Sequence, residues 1–342
     1  MKESLEKFED RIRGGWKGEA EAAKQDRCSR YCDLIFYRST IHPELTLAMR
    51  VSKPEKPGYI KVGTHGWHMT IPKYEEYDHA MTDYLLIDVD MRGRVYSDGK
   101  QDCNGWELYD VIDAVEYAKK RYAEYIRDPD VVFFESGSGG GGNAFAICGK
   151  FPDYFAHVVS MCGISDYALW YREDEVGEFR DEMDVWVGDI ANEEAYAARS
   201  GLTTVGNLCT PIAIVHGETD IRVPSKHSRL FVERAKELGK GDLVKYMELA
   251  GVGTRSHWGN ITPEQSKAMD EFVDSERLSH ARPVTIPRSG EFTVCGYLFT
   301  KEFSVVLDDI GRVAKVTYDL DKRTFSVTGA PDCGYTLRVR GN

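Results

Sequence analysis

The chain has 342 residues, of which 42% are hydrophobic and 29% charged, enough for one large α/β domain with an appendage or for two ordinary domains. Its formal net charge of −12 disfavours a general nucleic-acid or anionic-membrane binder, which would want a basic face, so neither is an expected partner. No run approaches the ~20 apolar residues of a membrane span.

In chain order, residues 1–32 read as a helical extension. "MKESLEKFEDRIRGGWKGEAEAAKQDR" is charged and amphipathic, with Leu5 and Phe8 as its apolar positions. It has no apolar core of the signal-peptide kind, so a cytoplasmic location is expected. "DLIFYRSTIHPELTLAMRVSKP" alternates around His42-Pro43 as a hairpin would. "GYIKVGTHG" (58–66) and "YLLIDVDMRG" (84–93) are short apolar runs ending in glycine. Residues 104–126 repeat apolar positions at i, i+3, i+4 and i+7, which predicts a helix. "DVVFFES" (130–136) is the near-continuous apolar strand of a sheet buried on both faces. A helix follows the glycines, then the strand "HVVSMCG" (157–163).

Strands alternating with helices predict an α/β fold: a mostly parallel sheet with helices on both faces and right-handed crossovers. Residues 166–208, acidic and carrying Trp170, Tyr171 and Trp186, break that rhythm as an insertion of short helices. The rhythm resumes with "TPIAIVHG" (210–217), a helix over 225–239, "KYMELAG" (245–251) and a helix over 262–278 that opens on Thr262-Pro263. The α/β part thus spans 33–282. After a Pro-bearing linker, residues 288–342 hold only short alternating strands, the mark of a small all-β module.

None of the eight cysteines forms a C-x-x-C pair, so a cysteine zinc site is not expected. Cys148, Cys162 and Cys209 read as buried thiols, and free thiols suit a reducing compartment. A single bridge, such as Cys295 with Cys333, is the alternative.

"FFESGSGGGGNAFA" (133–146) fits two motifs. Gly137, Gly139 and Gly142 match the G-x-G-x-x-G cradle of dinucleotide-binding folds, with Asp166 as the acid some 20 residues on. That fingerprint normally opens its domain, whereas at least two strands precede this one. Ser138, with small residues two places to either side, fits a nucleophile elbow instead, and the elbow makes further demands in fixed order. An acid should follow a later strand, and Asp220 follows "IAIVHG", with Glu218 as the other candidate. A histidine should follow a further strand, and His257 lies in "VGTRSHWGN". A second oxyanion donor should follow an early strand, and "KVGTHGWHM" supplies Trp67 beside a His-Gly turn.

A serine hydroxyl needs a base to become a nucleophile at neutral pH. His257 is the expected base and Asp220 its orienting acid, while the N–H groups of Gly139 and Trp67 form the oxyanion hole. Ser136 would place Phe134 two residues before the nucleophile, where a side chain clashes, so Ser138 is preferred over it. Neither metal nor cofactor is needed.

The motifs together resemble the α/β-hydrolase fold, and most of all the catalytic domain of the prolyl-oligopeptidase-related hydrolases. "THGWH" resembles their oxyanion turn, "DVDMRGRVYSDGK" their Asp-x-Arg-Gly-x-Gly-x-Ser segment with Val95 where glycine is usual, and "GSGGGGNAFA" the elbow. "VGDIANEEAYAARSGLTTVGNLCTPIAIVHGETDIRVP" (187–224) resembles the stretch leading to the acid and "GTRSHWG" the histidine loop. The resemblance covers about residues 33–278 and not the β-propeller that the family's peptidases carry, which acetyl-ester and dienelactone hydrolase-like relatives also lack. It implies a serine esterase acting on a small-molecule carboxylic ester, an aromatic or carbohydrate ester among them. The alternatives are a peptidase or acylaminoacyl hydrolase, and a non-catalytic binding protein on the same fold.

Of the other polar residues, His216 reads as a satisfied core histidine and His227 as a solvated one. His65 and His68 are expected to shape the oxyanion turn, and Arg92 to brace a loop beneath it. Trp67, Trp170, Tyr171, Trp186 and Trp258 are the candidate substrate-binding aromatics, with plain packing as the equal alternative.

Overall fold

A computed structural model describes residues 24–174, 177 and 179–340. The expected helix over the first 23 residues lies outside the described residues. Residues 27–28 are not helical but form a short strand, β1 (Arg27–Cys28), on the edge of the main sheet.

The main sheet has nine strands in the order β1-β2-β3-β5-β4-β6-β7-β8-β9. β2 (Cys32–Arg38) and β3 (Thr46–Ser52) form the antiparallel hairpin that the His42-Pro43 turn predicts. β4 (Ile60–Gly63), β5 (Leu85–Asp90), β6 (Val132–Gly137), β7 (His157–Met161), β8 (Ile212–Gly217) and β9 (Val244–Leu249) run parallel. Alternate residues of β7 and β8 serve two cores. Val158, Ile212 and Ile214 face the cluster built with α1 (Glu107–Arg121), α2 (Gly139–Lys150) and α6 (Lys226–Glu237). Val159, Ala213 and Val215 face α7 (Pro263–Ser279) through Val273 and Met269. Both faces therefore exclude water, which is why these strands read as unbroken apolar runs.

The helix starts follow local chemistry. The Asp102 carboxylate accepts from the Trp106 and Glu107 N–H groups at the head of α1. Thr262 and Gln265 form a capping box on α7, with Pro263 in its first turn. The interrupting segment folds as α3 (Tyr167–Glu173), α4 (Arg180–Trp186) and α5 (Glu193–Arg199). Asp166, the acid of the dinucleotide motif, instead caps α3 by accepting from the Leu169 N–H at 3.0 Å.

Beyond α7 the chain forms a six-stranded antiparallel sheet, ordered β14-β13-β10-β11-β12-β15. Its strands are β10 (Ser289–Cys295), β11 (Tyr297–Phe299), β12 (Phe303–Leu307), β13 (Val313–Asp319), β14 (Thr324–Thr328) and β15 (Tyr335–Val339). The run "FTVCGYLF" is two strands, not one. Gly296 at φ +71 breaks it, and a Cβ there would lie 2.7 Å from the Ile310 carbonyl oxygen.

The two sheets share a joint. Tyr297 stacks on Trp106 at 4.7 Å between ring centroids, donates to the Gly105 carbonyl at 2.6 Å, and belongs to the core cluster of the large sheet. Lys150, at the end of α2, is buried there; it donates to the Cys295 carbonyl at 2.7 Å and lies over the Tyr297 ring. All eight cysteines are free, so Cys295 and Cys333 make no bridge, and Cys209 is half-buried at this joint rather than buried. Among the described residues no helix is long and apolar enough to cross a membrane.

Candidate active site

The C-terminal ends of β4, β6, β8 and β9 point the same way, as sites on open α/β sheets require. At the end of β6, Ser138 has φ 58° and ψ −122°, a strained conformation for a residue with a side chain. Its N–H donates to the Met161 carbonyl at 2.8 Å, which helps hold the strain. The turn leaves no spare room. A Cβ on Gly139 would lie 2.5 Å from the Trp67 nitrogen, and one on Gly140 would lie 1.9 Å from the Ser136 hydroxyl. Ser136 is buried, and its hydroxyl donates to the Thr64 carbonyl at 3.0 Å, away from any base.

Asp220 lies just past β8. One carboxylate oxygen accepts from the Arg222 N–H at 2.9 Å and the Val223 N–H at 3.0 Å. The other faces His257 Nδ1 at 2.5 Å. The histidine loop after β9 interlocks with the acid loop: Thr219 N–H donates to the Val252 carbonyl, and Gly253 packs so close that a Cβ would meet the Asp220 nitrogen at 2.2 Å. With Nδ1–H directed at Asp220, the lone pair of Nε2 faces the Ser138 hydroxyl, 2.8 Å away. The structure thus brings together Ser138, Asp220 and His257, which are far apart in sequence. Glu218 turns elsewhere, accepting from the Gly251 N–H.

The turn after β4 sets the Trp67 nitrogen against Gly139. A polar relay holds it. Thr64 donates to Asn143 on α2 at 2.7 Å, Asn143 to Asn104 at 2.7 Å, and Asn104 to the Arg199 carbonyl at 2.9 Å. Arg199 in turn donates to the Ile310 carbonyl of the small sheet. The Trp67 indole and His68 both engage the Glu182 carboxylate, which ties α4 to the turn. Arg92 lies beneath, in a two-pronged ion pair with the buried Asp110.

A cavity of about 260 Å³ opens over Ser138 and His257. Trp67, Trp170, Phe179 and Val223 give it an apolar wall, and Met69, Arg222 and Arg255 also line it. Of the five candidate aromatics, only Trp67 and Trp170 are on this wall. Tyr171 points away, its hydroxyl on Asp184 and its ring against Tyr196. Trp186 packs behind Trp67 at 4.8 Å, with Arg94 over its ring. Trp258 packs with the α7-side core, although it adjoins His257. His227 is also not where an exposed helix face would put it: it is wholly buried, and burial pushes it down to about 3. His216 is satisfied by Ser228 and the Val223 carbonyl. Phe179 and Met69 were not legible as site residues. Arg222 and Val223 had a signal, since they directly follow the acid.

The prolyl oligopeptidase family profile matches residues 77–276, more than half of the chain. Two curated proteins of Bacillus subtilis (strain 168) are similar. The uncharacterized peptidase YtmA is 26% identical over 198 residues, 56% of this chain and 75% of its own length. The uncharacterized peptidase YuxL is 29% identical over 139 residues, 41% of this chain but only 21% of its own length. Among solved structures, Pyrococcus horikoshii acylaminoacyl peptidase superposes with a TM-score of 0.59 at 20% identity, covering 74% of this chain and 42% of that one. A puromycin-hydrolyzing peptidase of Mycobacterium tuberculosis gives 0.58 at 18% identity, over 70% and 39%. The chain spans less than half the length of these structures, and the likeness to them is one of fold.

Proposed function

This chain belongs to the prolyl oligopeptidase family, and from that premise we propose that it is a serine hydrolase that cleaves amide bonds of short acyl or peptidyl substrates through an acyl-enzyme on Ser138. One observation carries the reading: the hydrogen-bonded chain from Ser138 to His257 to Asp220, at 2.8 and 2.5 Å, at the floor of an apolar cavity. His257 Nε2 takes the Ser138 proton as the oxygen attacks the carbonyl carbon. Asp220 fixes the tautomer and stabilises the imidazolium. The N–H groups of Gly139 and Trp67 receive the oxyanion. His257 then returns the proton to the leaving amine, and water repeats the sequence to release the acid.

The cavity is small, with room for one apolar or aromatic side chain next to the scissile carbonyl. Family membership moves amides ahead of the ester reading. That second reading keeps one support, because the same cavity takes a short aliphatic or aromatic acyl group.

A fluorophosphonate probe tests the mechanism. Wild-type protein is expected to be labelled and Ser138→Ala not; an unlabelled wild type would point to a binding protein on this fold. Aminoacyl p-nitroanilides set against p-nitrophenyl acetate and butyrate test the bond. The acceleration over spontaneous hydrolysis is expected to be larger for the anilide, and a larger one for the ester would reverse the order.

A further inference from the structure

A second cluster of ligand-bearing side chains lies at the opposite end of the sheet. His157 opens β7, at the end remote from Ser138. His280 follows the last residue of α7, and Glu276 stands one turn before it. One ligand atom from each of the three lies within 4.8 Å of the others.

His157 is 1% exposed, and neither of its ring nitrogens has a hydrogen-bond partner among the described residues. A buried imidazole seldom stands so. The His157 ring runs parallel to that of His280, at 5.3 Å between centroids. His280 Nδ1 lies 2.7 Å from the Glu276 carbonyl and donates to it, leaving the lone pair on Nε2. A ligating histidine is usually fixed in this way through its other nitrogen. The nearby Arg277 charge is met by Glu135 and Asp274. Glu276 and His280 are each about a fifth exposed, which gives a path for an ion and room for water.

We propose that His157, His280 and Glu276 form a site for a divalent transition-metal ion of the zinc type. Two imidazoles and one carboxylate, completed by water, suit Zn²⁺ or Co²⁺. Tetrahedral ligands on bonds of ~2.1 Å stand about 3.4 Å apart, so the group, whose ligand atoms lie within 4.8 Å of one another, closes by up to roughly 1.4 Å on binding. His157 is fixed in the core, and the part-exposed Glu276 and His280 move toward it. The ion would fasten the start of β7 to the end of α7, where the chain leaves for the small sheet. This role is structural and does not rest on the hydrolase reading.

The test uses the full chain, stripped with a chelator and titrated with Co²⁺ and then Zn²⁺. Visible absorption of bound Co²⁺ and the melting temperature are followed. The expected result is one equivalent bound, a higher melting temperature, and unchanged fluorophosphonate labelling of Ser138. Glu276→Gln and His280→Ala are each expected to weaken binding at least ~10-fold. If His280→Ala does not fold, Glu276→Gln decides. No binding, or affinity unchanged in the folded variants, overturns the site. Binding that blocks Ser138 labelling also overturns it, because that places the ion at the other convergent group, Cys162, Asp220 and His257.

Discussion

The large sheet and the small one solve the same burial problem with opposite patterns. Every residue of β8 is buried, and β6 is nearly so, because helices cover both faces. Along β13 burial alternates: Ala314, Val316 and Tyr318 face inward, while Lys315 and Thr317 are exposed. A sheet closed on both sides has little place for polar chemistry except at strand ends, and there Ser138, Asp220 and His257 gather. A sheet open on one side carries its polar residues along its length and needs no such end. Tyr297 belongs to the second sheet by pairing and to the first by packing, so the two are expected to unfold together.

The sharpest break between chemistry and stability is at Ser138. Ser138→Ala is expected to lower turnover by roughly 10⁴- to 10⁶-fold while leaving the denaturant midpoint close to wild type, as activity assays and urea unfolding would show. Next in size is Tyr297→Ala. It removes the ring stack on Trp106 and the bond to the Gly105 carbonyl, at a cost of about 3–5 kcal/mol, read by chemical denaturation. One shifted transition supports a shared joint; a second transition moving alone would mean that the sheets unfold separately.

Gly140→Ala pushes a methyl group into the Ser136 hydroxyl and should cost about 1–3 kcal/mol along with much of the labelling rate. Ser136→Gly in the same chain is expected to restore part of both, since the Thr64 hydroxyl still stands 2.8 Å from the added methyl group. A double variant no better than the single one would show that the close approach in the elbow has another cause.

Lys150 gives a smaller, pH-dependent effect. Burial pushes its amine down to about 7 from an ordinary 10.5. Between those values the folded chain has released the proton and the unfolded chain still binds it, so stability rises with pH. The slope is at most ~1.4 kcal/mol per pH unit. Below 7 both states are protonated and the contribution is level. Lys150→Met is expected to flatten the rise between pH 7.5 and 9.5 in urea titrations. Smallest of all, Lys315→Ala breaks an exposed pair with Glu291 on the small sheet and should leave the melting temperature unchanged.

Much of this was legible because it is local. Apolar runs gave the parallel strands, and small residues around Ser138 gave the elbow. Asp220 and His257 could be found because each follows a strand end. The insertion was less legible, since three short helices carry too little periodicity to say which face holds Trp170 and which Tyr171. His227 had an available signal. With Phe231 and Ala235 it forms an i, i+4 row on α6, and all three are buried. The joint left no local mark: Trp106 and Tyr297 are separated by most of the chain, and only packing brings them together.

The relay from Thr64 through Asn143, Asn104 and Arg199 ends on the Ile310 carbonyl. That makes the linker before Ser289 a poor place to shorten this protein. A chain cut there keeps every residue of the proposed catalytic apparatus, yet it strips Arg199 of an acceptor and uncovers Lys150. A minimal enzyme made from this sequence must therefore carry the small sheet with it or redesign both side chains.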